Sequence, residues 1–414
     1  MARGRHRRRR RKDAILLGFA VVLTVSAGDV VALSTTGSPL DRPTAPSSER
    51  PALPAAPPVE AANHKDAKPR RFTIAATGDI LVHEAVWQRA ATYGTQGGLG
   101  FDFRPIFAKV RPILASADLA ICHMETPLSR DDSDLSSYPV FSVPHEVADA
   151  IAWAGYDECS TASNHSVDRG SDGIAATLDA LDAVGVHHAG TSRTLQESRH
   201  ITMLHVRGVR VAHLSYAYGF NGFTPDPSWE ANQIEPGRIL SDAERARARG
   251  AEFVIVSLHW GTQYQTAPNS YQLSVARRLT SSDAIDLILG HHAHVVQPIV
   301  RIRGTYVAYG MGNLVSAQTA ASIGTPSVED GVIVQVTVEE GRRGLRVTRV
   351  TYTPTWVEPG TYRILPVAPS IGAGWASEAE RALLRASWDR TVSAITSLGA
   401  DALGVEPRRS PQAA

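Results

Sequence analysis

Ile285-Asp286-Leu287-Ile288-Leu289-Gly290-His291-His292-Ala293-His294 is the stretch on which the reading of this chain turns. A short apolar run ends in glycine, and three imidazoles follow at once. Such a run reads as a buried strand. Histidines just beyond it stand at its carboxyl end, where open α/β sheets bind ligands. Two imidazoles at i and i+2 on an irregular loop can reach one shared site. His292 and His294 are therefore expected to hold a metal ion. His291 either joins them or points into the core.

The same arrangement recurs upstream. The run 253–258 leads to His259-Trp260-Gly261, and 156–160 leads to Asn164-His165. The run 118–122 leads to Glu125, and Phe72-Thr-Ile-Ala-Ala-Thr77 leads to Gly78-Asp79. Each residue alone has an ordinary explanation. An Asp after a strand is usually a cap or turn residue, a lone loop Glu is usually solvated, and a single buried His is usually satisfied in the core. Five strand ends carrying Asp, Glu, Asn and His together are not ordinary. They are expected to converge at one rim of a sheet. Carboxylates, an amide and imidazoles suit one or two divalent transition metals. Glu125 would bridge two cations or orient the attacking water, and His165 would donate a proton beside the substrate. His83, four residues after Asp79, and His123, two before Glu125, could face the same site.

Between these ends lie amphipathic stretches at 144–154, 171–184 and 271–279, which predict helices. Strand and helix in alternation indicate βαβ units and a mainly parallel sheet. Three segments differ and predict hairpins: 201–206 with 209–215 about Arg207-Gly208, 295–302 with 306–309 about Arg303-Gly304, and 332–338 with 345–353 about 341–344. A terminal helix is expected over 378–403.

Charge divides the chain. Residues 1–12 hold eight Arg and Lys and no acid. Taking those eight from the total of +1 leaves −7 for the remainder. A mildly acidic folded part argues against nucleic acid as a partner. The basic block (1–13) precedes an apolar stretch (14–33), the pattern of an export signal with the basic end in the cytoplasm. It reads as an uncleaved signal anchor. Val25-Ser26-Ala27 offers a cleavage site if it is instead a signal peptide. Residues 34–70, rich in Pro, Ala and Ser, read as a disordered linker. A domain over 71–357 follows, then a C-terminal extension (358–414) with one helix. Either leader places the domain outside the cytoplasm, tethered to the cell membrane by a single pass or secreted. Cys122 and Cys159 lie in predicted strands and read as buried thiols, although an oxidising compartment permits a disulfide. No Gly-x-Ser-x-Gly elbow supports a serine hydrolase.

Taken together, several short pieces resemble the CapA family, the capsule or poly-gamma-glutamate synthesis proteins, which looks like a branch of the calcineurin-like metallophosphoesterase superfamily. They are Thr77-Gly78-Asp79, Asp118 with Glu125-Thr126, Ser163-Asn164-His165 with Asp168 and Gly173, His259-Trp260-Gly261 with Tyr264, Gly290-His291-His292 with His294-Val-Val-Gln297, and Gly310-Met-Gly-Asn313. The resemblance spans about 72–354. It implies a four-layer α/β/β/α sandwich with mixed sheets. It also implies Asp79, Glu125, Asn164, His259, His292 and His294 as metal ligands, with His165 near the substrate. Three positions depart from the family pattern: His123 stands for a usual Asn, Ala293 for a usual Pro, and Gln263 for a frequent Glu.

The expected protein is an extracytoplasmic, membrane-tethered hydrolase with two divalent ions (Mn, Fe or Zn). Its catalytic residues would be His165 and Glu125. Its substrate would be a phosphoester or a gamma-glutamyl amide of an anionic surface polymer, and its partners polymer synthetase subunits. The alternative is a non-catalytic polymer-binding or scaffold subunit of a capsule synthesis complex.

Overall fold

The computed structural model describes residues 69–409. The basic leader, the anchor or signal peptide and the linker through 68 lie outside the described residues, as do 410–414. Among the described residues no helix is long and apolar enough to cross a membrane.

Fifteen strands are described. In chain order they are β1 (Arg71–Ile80), β2 (Leu119–Met124), β3 (Glu158–Ser160), β4 (His187–Ala189), β5 (Thr202–Val206), β6 (Val209–Ala217), β7 (Phe253–His259) and β8 (Leu287–His291). There follow β9 (Ile299–Ile302), β10 (Thr305–Ala308), β11 (Asn313–Val315), β12 (Asp330–Gly341), β13 (Gly344–Val357), β14 (Ile364–Pro366) and β15 (Glu406–Pro407). They form two sheets. The first has the order β14-β13-β12-β1-β2-β3-β4, with β11 also on β1 and β15 on β13. The second has the order β5-β6-β7-β8-β10-β9. Both are mixed: β1 to β4 and β6 to β8 run parallel, and antiparallel pairs flank them.

Alternation along the strands builds three apolar layers, because successive side chains point to opposite faces. Phe72, Ile74 and Ala76 of β1 meet Phe253 and Ile255 of β7 and Leu287 and Leu289 of β8 between the sheets. On its other face the first sheet turns Ala75, Cys122 and Cys159 toward Val86 and Ala90 of helix Glu84–Gly97 and Val147 and Ile151 of helix Glu146–Ala154. The second sheet turns Val254, Val256 and Ile288 toward Ile239 and Ala243 of helix Pro236–Ala248 and Val275 and Leu279 of helix Ser270–Leu279. The result is the helix-sheet-sheet-helix layering expected.

Four expectations need correction. The ligand-bearing strand ends belong to two facing sheets, as in the sandwich that the resemblance implied, and not to one rim of one sheet, as the strand-end pattern taken alone suggested. Residues 295–298 run as loop, and the hairpin begins at Ile299; Pro298 cannot donate to a ladder and ends any strand before it. The C-terminal extension holds more than one helix: β14 and β15 both add to β13, and its long helix, Glu378–Thr396, stops short of 403. Cys122 and Cys159 are not free thiols. They are registered partners on β2 and β3, with Cα atoms 4.5 Å apart, and they are joined by a disulfide.

Candidate metal centre

A β-bulge decides the site. From Ala76 to Asp79, β1 advances three residues while β2 advances two, from Ile121 to His123. The extra residue reverses the alternation. Ala76 faces the gap between the sheets, and without the bulge Asp79 would face the helices. With it, Asp79 falls on the same side as Ile121 and His123. Gly78 permits this by its missing Cβ: one built there would lie 2.0 Å from the Gly312 carbonyl oxygen. That carbonyl accepts the Asp79 N–H at 2.9 Å. The role of the glycine is this close backbone approach.

In the second sheet no bulge is needed. Phe253, Ile255, Ser257 and His259 share one face by simple alternation, as do Leu287, Leu289 and His291. His259 and His291 are registered neighbours at the ends of β7 and β8.

These elements bring the expected ligands into one buried cluster. His294 Nδ1 lies 3.2 Å from Asp79 Oδ2, and its Nε2 lies 3.7 Å from Glu125 Oε1. His259 Nε2 lies 2.7 Å from Asn164 Oδ1. The His292 ring sits 4.6 Å from that of His259 and 5.9 Å from that of His294, centroid to centroid, and so links the two groups. Asn164 Nδ2 donates to Asn221 Oδ1 at 3.1 Å, which aims the amide oxygen at His259. His292 and His294 have φ of 86° and 55°, left-handed values that are uncommon for non-glycine residues. Such backbone persists where its surroundings fix it. Here the His292 N–H reaches Asp79 Oδ2 at 3.2 Å, and the Ala293 carbonyl accepts from Tyr264 N at 2.7 Å.

Two histidines left open by the sequence are also in the cluster. His291 Nδ1 lies 3.2 Å from Asp79 Oδ1. His123 stacks on the His291 ring at 3.9 Å and hydrogen-bonds His259. Their strand parity with known inward residues could have placed both. Asn313, 3.0 Å from His294 Nδ1, was visible only as part of a family motif, and Asn221 carried no signal at all. His83 lies outside the ligand cluster, its Nδ1 placed between the Leu81 carbonyl oxygen at 3.2 Å and the Ala317 N at 3.3 Å.

His165 is placed for a different task. Its Nδ1 lies 2.7 Å from Asp168 Oδ2, an oxygen that also accepts the Phe141 N–H at 2.8 Å. His165 lines a cavity of about 450 Å³ with His294, His83, Phe141, Tyr264 and Gln318.

The electrostatics suit a cation. Burial alone would push the Asp79 carboxyl up, but hydrogen bonds from His291 and His294 hold it far below the ordinary carboxylate range. Burial pushes His292 down to about 3, and pushes His123 and His259 well below their usual value, so these rings are neutral. Burial raises the Glu125 carboxyl against the pull of His294, while the Glu125 and Asp79 carboxylates raise His294. Both Glu125 oxygens, His292 Nδ1 and His291 Nε2 are buried with no hydrogen-bond partner among the described residues. A buried carboxylate left so is costly unless a cation meets it. The ligand atoms of Asp79, Glu125 and His294 lie within 4.8 Å of one another, as do those of Asp79, His123 and His291. The donor set therefore fits a divalent metal.

A family described as "Bacterial capsule synthesis protein PGA_cap" matches residues 73–318. Capsule biosynthesis protein CapA of Bacillus anthracis is 26% identical over 336 residues, covering 75% of this chain and 77% of that protein. PGA biosynthesis protein CapA of Bacillus subtilis is 27% identical over 267 residues, covering 62% of this chain and 66%, just under two thirds, of that protein. Among solved structures, a phosphatase from Mycoplasma pneumoniae shows a distant likeness of shape, with TM-score 0.43 and 12% identity over 71% of this chain and 97% of that one.

Proposed function

This chain belongs to the bacterial capsule synthesis protein family, and from that premise we propose that it is a divalent-metal-dependent hydrolase acting in the synthesis, export or anchoring of a capsule or poly-gamma-glutamate-like anionic polymer. The observation that carries this reading is Glu125: a buried carboxyl with neither oxygen hydrogen-bonded, beside Asp79 and His294. A protein with no use for a cation there would bear the desolvation cost for nothing.

Asp79, Glu125 and His294 would hold one side of the centre, and Asn164, His259 and His292 the other. The bound ions would be Mn, Fe or Zn and would supply Lewis-acid polarisation of the scissile group and activation of water at neutral pH. Glu125 orients the attacking water. His165, held by Asp168, gives a proton to the leaving group. The substrate enters through the cavity that His165 and His294 line. Its scissile bond is a phosphoester or a gamma-glutamyl amide. The protein works outside the cytoplasm, tethered by its N-terminal segment and partnered with polymer synthetase subunits. The Cys122–Cys159 disulfide supports that location, because disulfides persist in oxidising compartments.

The test uses the full-length protein. Metal content is measured, and hydrolysis of a model phosphodiester and of poly-gamma-glutamate is followed with and without chelator. Chelator-sensitive hydrolysis is expected. Metal retained without turnover of any polymer would favour the binding-subunit reading, and no retained metal would defeat both the centre and the hydrolase.

A further inference from the structure

Both ring nitrogens of the buried His123 are hydrogen-bonded. Its Nε2 lies 2.9 Å from His259 Nδ1, and its Nδ1 lies 2.8 Å from Ser160 Oγ. Ser160 Oγ in turn reaches the Cys122 carbonyl at 3.2 Å. Glu125 and His292, by contrast, keep buried atoms without a hydrogen bond. His123 belongs to a geometric group with Asp79 and His291, but its nitrogens are taken by Ser160 and by His259 Nδ1, the His259 nitrogen that does not face Asn164, the arrangement of a support behind a ligand.

Resting on the metal-centre reading above, we infer that His123 is a positioning residue that fixes the ring orientation and tautomer of His259 through a buried chain running His259, His123, Ser160, Cys122 carbonyl. With a cation held at His259 Nε2, the donor count closes in one way. His259 presents Nε2 toward Asn164 and the site, so holding a cation there requires a lone pair on Nε2. The His259 proton then sits on Nδ1 and donates to His123 Nε2. His123 carries its own proton on Nδ1 and donates to Ser160 Oγ. The Ser160 hydroxyl donates to the Cys122 carbonyl. Every donor has an acceptor, and no net charge is moved. A metal-ligating histidine ordinarily passes its second N–H to a carboxylate, a carbonyl or water. Here a second imidazole, itself anchored in the neighbouring strand β3, takes that place. The chain crosses from one sheet to the other, so it also ties the loaded geometry to the register of β2 with β3.

Binding of Mn²⁺ or Zn²⁺ to the full-length protein, measured by competition with a chromophoric chelator, tests this. His123→Leu fills the space without an acceptor and should weaken affinity roughly 10- to 100-fold, with the same number of ions bound at saturation. His123→Gln, whose side-chain oxygen can accept from His259 Nδ1, should recover part of the loss. Ser160→Ala should weaken affinity less than His123→Leu, and it keeps the test open if the Leu variant fails to fold. Long-range proton–nitrogen correlation spectra of the metal-loaded wild type should show the His259 proton on Nδ1. Equal affinity in wild type and His123→Leu would overturn the inference, as would an Nε2 proton on loaded His259. Loss of one whole ion with the rest bound as before would make His123 a ligand instead. A wild type that binds no cation defeats the functional reading itself, a result distinct from either.

Discussion

His259 Nε2 lies 2.7 Å from Asn164 Oδ1, and this contact joins the last residue of a strand in one sheet to the loop after a strand in the other. The centre is therefore built across the gap between sheets. Removing either partner should open one half of it. Asn164→Ala and His259→Ala are each expected to lower bound metal and to cut hydrolysis by at least about 10²-fold, with far-UV circular dichroism unchanged. Full activity in both variants would exclude them from the site.

Asp79→Ala separates the centre from the fold more sharply. Its carboxyl receives His291, His294 and the His292 N–H. The variant should lose metal and activity together, and the His292–His294 loop should become accessible to hydrogen exchange. Metal content by elemental analysis and exchange of the 292–294 amides provide the check.

Metal binding should depend on pH with a definite sign. Glu125 and His294 are both raised in the metal-free site, so the pair keeps protons around neutrality. A cation needs those atoms deprotonated, so binding releases protons and strengthens as pH rises. Titration calorimetry in buffers of differing ionisation enthalpy should show proton release near pH 7. Binding that weakens from pH 6 to 8 would contradict the assignment.

Gly78→Ala places a methyl group where the Gly312 carbonyl now lies, with neighbours that are backbone and cannot swing aside. A cost of about 1–3 kcal/mol is expected from overpacking. Because the same approach sets the bulge that aims Asp79, metal affinity should fall along with the melting temperature. Loss of stability with unchanged affinity would separate the glycine from the site.

His165 and the disulfide should behave differently from the ligands. His165→Asn is expected to cut turnover by about 10²–10⁴-fold while sparing bound metal. Reducing Cys122–Cys159 should cost about 2–4 kcal/mol of stability and leave metal bound, since both cysteines pack in the layer facing the helices.

Much of the centre was legible because strand ends announce themselves. An apolar run followed by Asp, Glu, Asn or His is a local pattern, and the hairpin about Arg207-Gly208 falls where alternation placed it, as β5 and β6. His123 and His291 were not resolved, because whether an inward-facing histidine is ligand, support or filler depends on which atoms face it across the gap. The segment before Pro298 looked like strand because it is apolar, but its burial is that of a packed loop, with Gln297 bonded to Gln272 and the Gln265 carbonyl.

The sequence by itself determined which residue types stand at the mouths of the strands, and hence that a cation-binding chemistry was in reach; side-chain chemistry and local periodicity are properties of a few neighbouring residues. The tertiary structure alone decided which strand ends fall on which of the two sheets, that one extra residue between Ala76 and Asp79 turns the carboxylate inward, and that His123 meets His259 across the gap. Those outcomes rest on pairing between segments far apart in the chain, and direction in a strand reverses with every residue of register.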